Sequence, residues 1–213
     1  MVSYPIYPDR SFDYDLDHAL VFMAKTIDTC GHNPKPLVLH STRVGMALYN
    51  AGYSRAVVLA GVLHDLIEDT TLPPERIGQE FGHDVLRLVE ANTFDASISD
   101  RLERAREMYA RCLAAGKDAL LIKTADTLDN SRSFHLIQDG ETRQYMLTKI
   151  YDLLVLSADP LRGESVWEEL HRQWVHLIAA QQENVAVAWS RISARSFACD
   201  WSSNNNQVYD NLQ

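Results

Sequence analysis

Apolar side chains recur at i, i+3, i+4 and i+7 along nearly the whole chain, and strict two-residue alternation is hard to find. That period places one apolar face on successive helices and leaves no strand with a buried side, so the spacing predicts an all-α fold, a compact single-domain helical bundle. Breaks fall at Gly31 to Pro36, Gly52 to Ser54, Leu72 to Pro74, around Gly82, Asp95 to Asp100, Gly116, Asp139 to Gly140 and Asp159 to Gly163, where turn-forming residues gather. They divide the chain into about nine helices with short connections. PPERIG at 73–78 reads as a short helix started by proline, whose missing N–H costs nothing in a first turn. A last helix from Glu164 to about Ile192 carries Trp167, Leu170, Trp174, Leu177 and Ile178 at helical spacing, a face for packing or for a homo-oligomer contact. One domain is expected over residues 1–200, followed by a polar, flexible tail at 201–213.

With 213 residues the chain is long enough to fold around an apolar core without disulfides or a structural metal, so a metal site here is expected to be functional. Twenty basic against 29 acidic residues give a net charge of −9, with no run of Lys or Arg; that argues against a nucleic-acid polymer, whose phosphates need clustered positive charge. A small phosphorylated ligand stays compatible, because one bound cation reverses the local field. Cys30, Cys112 and Cys199 are scattered without a CxxC pair, which points to a reducing cytoplasm. Neither a signal peptide nor 18 consecutive apolar residues are found, so no export or membrane partner is expected.

The stretch AGVLHDLIEDTT at 60–71 places four ionisable residues, His64, Asp65, Glu68 and Asp69, behind an apolar lead-in. At 100° per residue on one continuous helix they crowd a single side, with Val62, Leu63, Leu66 and Ile67 facing elsewhere. Three carboxylates on one face repel each other unless a cation holds them. His40, in PLVLHSTRVGMAL, begins another apolar helix in which the small Gly45 and Ala47 permit close packing. In LIKTADTLDNS, Asp126 sits among Leu121, Ile122, Ala125 and Leu128, and a carboxylate buried there needs compensation. His40, His64, Asp65 and Asp126 together form a mixed nitrogen and oxygen set suited to one manganese, iron or zinc ion. Such an ion polarises a phosphate oxygen and lowers the pKa of bound water, and Glu68 or Asp69 could orient that water or take its proton. Lys123, Arg132 and Arg43 either pair with the local carboxylates or clamp phosphate.

The order H…HD…D, as His40, His64-Asp65 and Asp126, resembles the HD superfamily of metal-dependent phosphohydrolases. LHDLIEDT at 63–70, FGHDV at 81–85 followed by LVEANT, and IKTADTLDN at 122–130 resemble the small alarmone hydrolases, stand-alone relatives of the Rel/SpoT hydrolase domain, over about residues 17–158. The resemblance implies an all-helical, Mn²⁺-dependent enzyme that removes the 3′-pyrophosphate of guanosine tetra- or pentaphosphate. It makes His40, His64, Asp65 and Asp126 the metal ligands and Glu68 with Asp69 the catalytic pair. Asn130 becomes a substrate contact, with Lys123, Arg43, Arg143 and Tyr145 as further substrate-binding residues. The family's basic RKxG-like segment before the first histidine is replaced by CGHNPKPLVLH, where only Lys35 is basic, so guanine specificity is less well marked than metal chemistry. With no synthetase region after residue 158, degradation and not synthesis is expected. A dinuclear site would require His83, the only histidine between Asp65 and Asp126. A nucleotide phosphatase of the same superfamily, releasing orthophosphate, and a non-catalytic nucleotide-sensing module are the rival readings. GxSxG, GxxxxGK[ST] and GxGxxG motifs are absent, which sets aside serine hydrolases, P-loop enzymes and Rossmann oxidoreductases.

Overall fold

The computed structural model describes residues 11–32 and 36–182, so the expected tail, Cys199 and Lys35 lie outside the described residues. The chain divides into two units, one ending at Gln173 and the other beginning at Trp174. Residues 174–182 of the second are helical. The first unit is all-α among its described residues: α1 Ser11–Cys30, α2 Leu37–Asn50, α3 Arg55–Leu63, α4 Leu66–Asp69, α5 Pro74–Phe81, α6 His83–Asn92, α7 Arg101–Ala115, α8 Lys117–Ser131, a single 3₁₀ turn Phe134–Leu136, and α9 Gly140–Ser157. Helical residues 165–173 close it.

The starts of these helices follow from local chemistry. Asp100 accepts from the amides of Leu102 and Glu103, and Asp139 from those of Glu141 and Thr142, satisfying donors that a helix start leaves open. Pro74 begins α5. Gly116 joins α7 to α8 at φ 107°, a backbone conformation that side chains with a Cβ rarely adopt.

Helix α3 is buried along Val57–Leu63 and packs against α1, α2, α6 and α8. Its contact with α2 depends on two glycines: a Cβ on Gly45 would lie 2.3 Å from Val62 Cγ2, and one on Gly61 would lie 2.4 Å from Leu48 Cδ1. The close approach expected around Gly45 is therefore present. Helix α8 is likewise buried through most of its length, polar residues included.

One continuous helix through the HD segment does not form. It stops at Leu63, turns at His64 and Asp65, and resumes for the single turn of α4. His64 and Asp65 nevertheless keep right-handed helical backbone angles, and Asp69 N donates to Asp65 O at 2.9 Å, so the one-turn spacing from Asp65 to Asp69 persists. After α4, Gly31 and Thr70 form an antiparallel bridge, with His32 N donating to Asp69 O and Thr71 N to Cys30 O. This ties the end of α1 to the Glu68-Asp69 turn.

Candidate metal centre

His40 on α2, His64 and Asp65 at the α3–α4 break, and Asp126 on α8 meet where these elements converge. Donor atoms of His40, His64 and Asp65 lie within 4.8 Å of one another. Asp126 Oδ1 is 3.2 Å from His40 Nε2 and 3.7 Å from His64 Nε2, while Asp65 Oδ2 is 3.6 Å from His40 Nε2. The two imidazole rings stand 5.2 Å apart.

The chemistry of this donor set fits a divalent ion. His64 is 1% exposed and its Nδ1 donates to the Gly61 carbonyl at 2.8 Å, so Nε2 is the nitrogen turned into the cluster. That buried Nε2 has no hydrogen-bond partner among the described residues, although Asp65 Oδ1 is 3.1 Å away. A buried polar atom left so is costly unless something else binds it. In His40, Nδ1 faces Asp129 Oδ2 at 2.7 Å and Nε2 faces Asp65 and Asp126, the arrangement by which metal-binding histidines are oriented.

The electrostatics show how tightly these groups are coupled. Burial opposes charge on His40, but the carboxylates of Asp126, Asp129 and Asp65 outweigh it and raise its pKa to about 10. Burial also opposes charge on His64, and Asp65 and Asp126 again raise it. Asp126 is buried, yet the Lys123 charge and both histidines hold it well below the usual carboxylate range. Burial pushes Glu68 up to about 7, against the opposing pull of Lys123.

A cavity of about 440 Å³ opens over this cluster, and His40, Asp65, Glu68, Lys123, Asp126 and Asn130 line it. Glu68 Oε1 accepts from the Phe94 amide at 2.6 Å. Asn130 Nδ2 donates to Asp126 Oδ1 at 2.5 Å, and Lys123 Nζ lies 2.9 Å from Asp126 Oδ2. Asp69 does not line the cavity; it is buried at the end of α4. Glu68 and Asp69 are neighbours on α4 and so project about 100° apart; Glu68 meets the cavity and Asp69 falls outside its lining. Arg143 is also absent from the lining: its Nε donates to the Ile137 carbonyl, and its guanidinium lies over Phe134. Tyr145, two residues on, does line the cavity, beneath the Arg101 guanidinium 4.3 Å from its ring centroid. Arg43 reaches the lining while bonded in bidentate fashion to Asp129.

Sequence reasoning missed Arg101, Arg104 and Lys149, all of which line the cavity. The signal was available for α7: Arg101, Arg104, Ala105 and Met108 stand at i, i+3, i+4 and i+7, one face carrying its charge at one end. Arg104 lies over the Phe94 ring at 4.8 Å. His83 begins α6 and does not line the cavity.

A family model for the HD domain matches residues 19–154, more than half of the chain. The chain belongs to the HD domain family. It is 29% identical over 138 residues to an Aquifex aeolicus guanosine-3′,5′-bis(diphosphate) 3′-pyrophosphohydrolase, covering 64% of this chain and 20% of that one. A mouse protein of the same description is 36% identical over 102 residues, covering 47% of this chain and 56% of its own. The chain thus spans about a fifth of the bacterial relative and about half of the mouse one. Among solved structures, a metazoan ortholog of SpoT, described as hydrolysing ppGpp, superposes with a TM-score of 0.62 at 28% identity, covering 80% of this chain and 97% of that one. A Listeria monocytogenes protein at 24% identity and a TM-score of 0.57 shares the fold. Among the described residues no helix is long and apolar enough to cross a membrane.

Proposed function

We propose that the protein is a Mn²⁺-dependent pyrophosphohydrolase acting on guanosine 3′,5′-bis(diphosphate) in the cytoplasm. The observation that carries this reading is the convergence of His40, His64, Asp65 and Asp126 on a cavity whose wall also includes Arg101, Arg104 and Lys149. A nucleotide with diphosphates at two positions needs cationic groups beyond those beside the reacting phosphorus, and these three provide them. The activity named for the mouse relative and for the SpoT ortholog supports the same substrate.

In this reading His40, His64, Asp65 and Asp126 hold one ion. When bound, it supplies Lewis-acid polarisation of a phosphate oxygen and lowers the pKa of adjacent water. Glu68 lines the cavity, and in the metal-free site burial raises its pKa to about 7; a bound cation would favour the carboxylate, the form that accepts a proton from water. The Phe94 amide fixes one of its oxygens and leaves the other free to face water. Water forms a bond to the phosphorus on the 3′ oxygen and gives its proton to Glu68. The bond between that phosphorus and the 3′ oxygen breaks; the oxygen takes up the proton held by Glu68, directly or through solvent, which restores the carboxylate, and guanosine 5′-diphosphate and pyrophosphate are released. Asn130 and Lys123 hold Asp126 in place, and Tyr145 with Arg101 forms a flat cationic surface for the nucleotide. The Asp69 carbonyl accepts from His32 N, which ties the turn that carries Glu68 to the end of α1.

Turnover with Mn²⁺ should be measured on guanosine 3′,5′-bis(diphosphate) and on nucleoside monophosphates, with pyrophosphate and orthophosphate quantified separately. Pyrophosphate accompanied by guanosine 5′-diphosphate is expected. Orthophosphate from the monophosphates alone would replace this reading with a nucleotide phosphatase.

A further inference from the structure

Asp129 is 4% exposed and is surrounded by donors. Its Oδ2 accepts from His40 Nδ1 at 2.7 Å and Arg43 Nη2 at 2.8 Å, and its Oδ1 from Arg43 Nε at 2.7 Å. An ionised carboxylate can only accept, so the imidazole nitrogen facing it carries hydrogen and the ring's other nitrogen is turned on Asp65 and Asp126. Two parallel bonds from the planar Arg43 fork hold the carboxylate against rotation about its own axis.

The four residues stand in register. His40 and Arg43 are one turn apart on α2, and Asp126 and Asp129 one turn apart on α8. Each helix therefore presents one group to the metal position and, a turn later, one group to the other helix. A salt bridge serving only to join α2 to α8 would have no reason to share a carboxylate with His40.

We propose that Asp129 and Arg43 form a positioning unit that sets the His40 ring with Nε2 toward the metal position, Arg43 acting through Asp129 and not as a clamp on substrate phosphate. The inference rests on the metal-centre reading given under the proposed function. Arg43 has Nε and Nη2 already committed to Asp129, the two donors a bidentate phosphate contact on that edge would use. Its role is thereby distinguished from that of Arg101 and Arg104, whose guanidinium groups lie over aromatic rings.

Mn²⁺ binding to the metal-stripped full chain, followed by calorimetry, tests the unit in the wild type and in Asp129→Ala, Arg43→Ala and the double variant, with thermal unfolding as a check of folding. Asp129→Ala should weaken Mn²⁺ binding by about 10- to 100-fold, the range for groups that orient metal-binding histidines. Arg43→Ala should weaken it less, and the double variant should bind no more weakly than Asp129→Ala, because both changes remove the same support. At saturating Mn²⁺, Arg43→Ala should leave KM for guanosine 3′,5′-bis(diphosphate) near the wild-type value. Unchanged affinity in Asp129→Ala, additive losses in the double variant, or a large rise in KM for Arg43→Ala would each overturn the proposal while leaving the metal centre standing. A wild-type chain that binds no Mn²⁺ would overturn the metal reading and this inference together. Should Asp129→Ala fail to fold, Arg43→Ala and Arg43→Lys decide the matter by the same two readouts.

Discussion

The His64 ring is anchored by its Nδ1 on the Gly61 carbonyl three residues earlier, 2.8 Å away, and its opposite nitrogen ends buried in the carboxylate cluster. The backbone of α3 thus orients this imidazole before any ligand arrives. An ion that binds the folded chain and not the unfolded one stabilises it by about 2.7 kcal/mol at a hundredfold excess over Kd. For a chain of this length that corresponds to a rise in Tm of roughly 5–10 °C. A thermal-shift titration with Mn²⁺ checks it; the rise should vanish in His64→Ala, and an equal rise in that variant would remove His64 from the ligand set.

Glu68 should show opposite effects on activity and stability. Its folded pKa of about 7 stands above the ordinary value of 4.5, because burial disfavours the charged form. The protonated side chain is thus favoured by folding below about pH 4.5, and that contribution is lost as pH rises through 7. Glu68→Gln should therefore raise the Tm of the metal-free protein at pH 8, by an amount corresponding to on the order of 1–3 kcal/mol. It should also lower kcat by about 10²- to 10⁴-fold with Mn²⁺ stoichiometry intact. Asp69→Asn, altering a side chain outside the cavity lining, should cost turnover less. Equal losses of kcat in the two variants would restore Asp69 to the chemistry.

Proton release should accompany metal binding. In the metal-free protein the neighbouring carboxylates overcome burial and hold the His40 pKa up to about 10, so the ring is charged at pH 7. Its contribution to stability is complete below the ordinary histidine pKa of 6.5 and is lost as pH rises through about 10. Binding through Nε2 displaces a proton. Calorimetry at pH 7 in buffers of differing ionisation enthalpy should show at least about one proton released per Mn²⁺, with apparent affinity increasing with pH. Affinity independent of pH between 6 and 9 would count against His40 as a ligand.

How far the sequence disclosed this site depends on what each residue requires. Helical period and the four positions His40, His64, Asp65 and Asp126 were visible, because a buried Asp126 in an apolar helix demands a partner wherever it is. Asp129 was visible only as a neighbour of Asp126; its bonds to His40 and Arg43 depend on how α2 crosses α8, which no local pattern encodes. Asp69 follows Glu68 about 100° further round the same turn, so which of the two meets the cavity depends on how α4 sits against its neighbours, and the turn at His64-Asp65 has no glycine or proline to mark it. Arg101 and Arg104 lay on a visible face of α7, but its direction toward the cavity is set by tertiary packing.

Arg104 offers a test of substrate class. Its guanidinium lies over Phe94, whose amide holds Glu68, so it lines the cavity beside the proposed base without belonging to the metal cluster. Loss of one charge-assisted contact to phosphate costs about 1.5–3 kcal/mol. Arg104→Ala should thus lower kcat/KM for guanosine 3′,5′-bis(diphosphate) by roughly 10- to 150-fold, mostly through KM, with Mn²⁺ affinity unchanged. A guanosine 3′-diphosphate lacking 5′ phosphates should separate the sources of that loss. If Arg104 binds the 5′ diphosphate, this truncated substrate is already poor and the substitution hardly affects it further; if Arg104 serves the reacting 3′ group, both substrates lose equally.

The α2–α3 crossing can be tested without touching the cluster. The Cβ introduced by Gly45→Ala would meet Val62 Cγ2 at 2.3 Å, too close for coexistence without movement of Val62 or separation of the helices. Overpacking of this kind costs about 1–3 kcal/mol. Since α2 carries His40 and α3 leads into His64, separation should also weaken Mn²⁺ binding, whereas a simple rotation of Val62 would lower stability alone. Denaturant unfolding and Mn²⁺ titration of Gly45→Ala distinguish these outcomes. Adding Val62→Ala should recover the lost metal affinity if the crossing distance governs the site, and a double variant that regains stability but not metal binding would show that it does not.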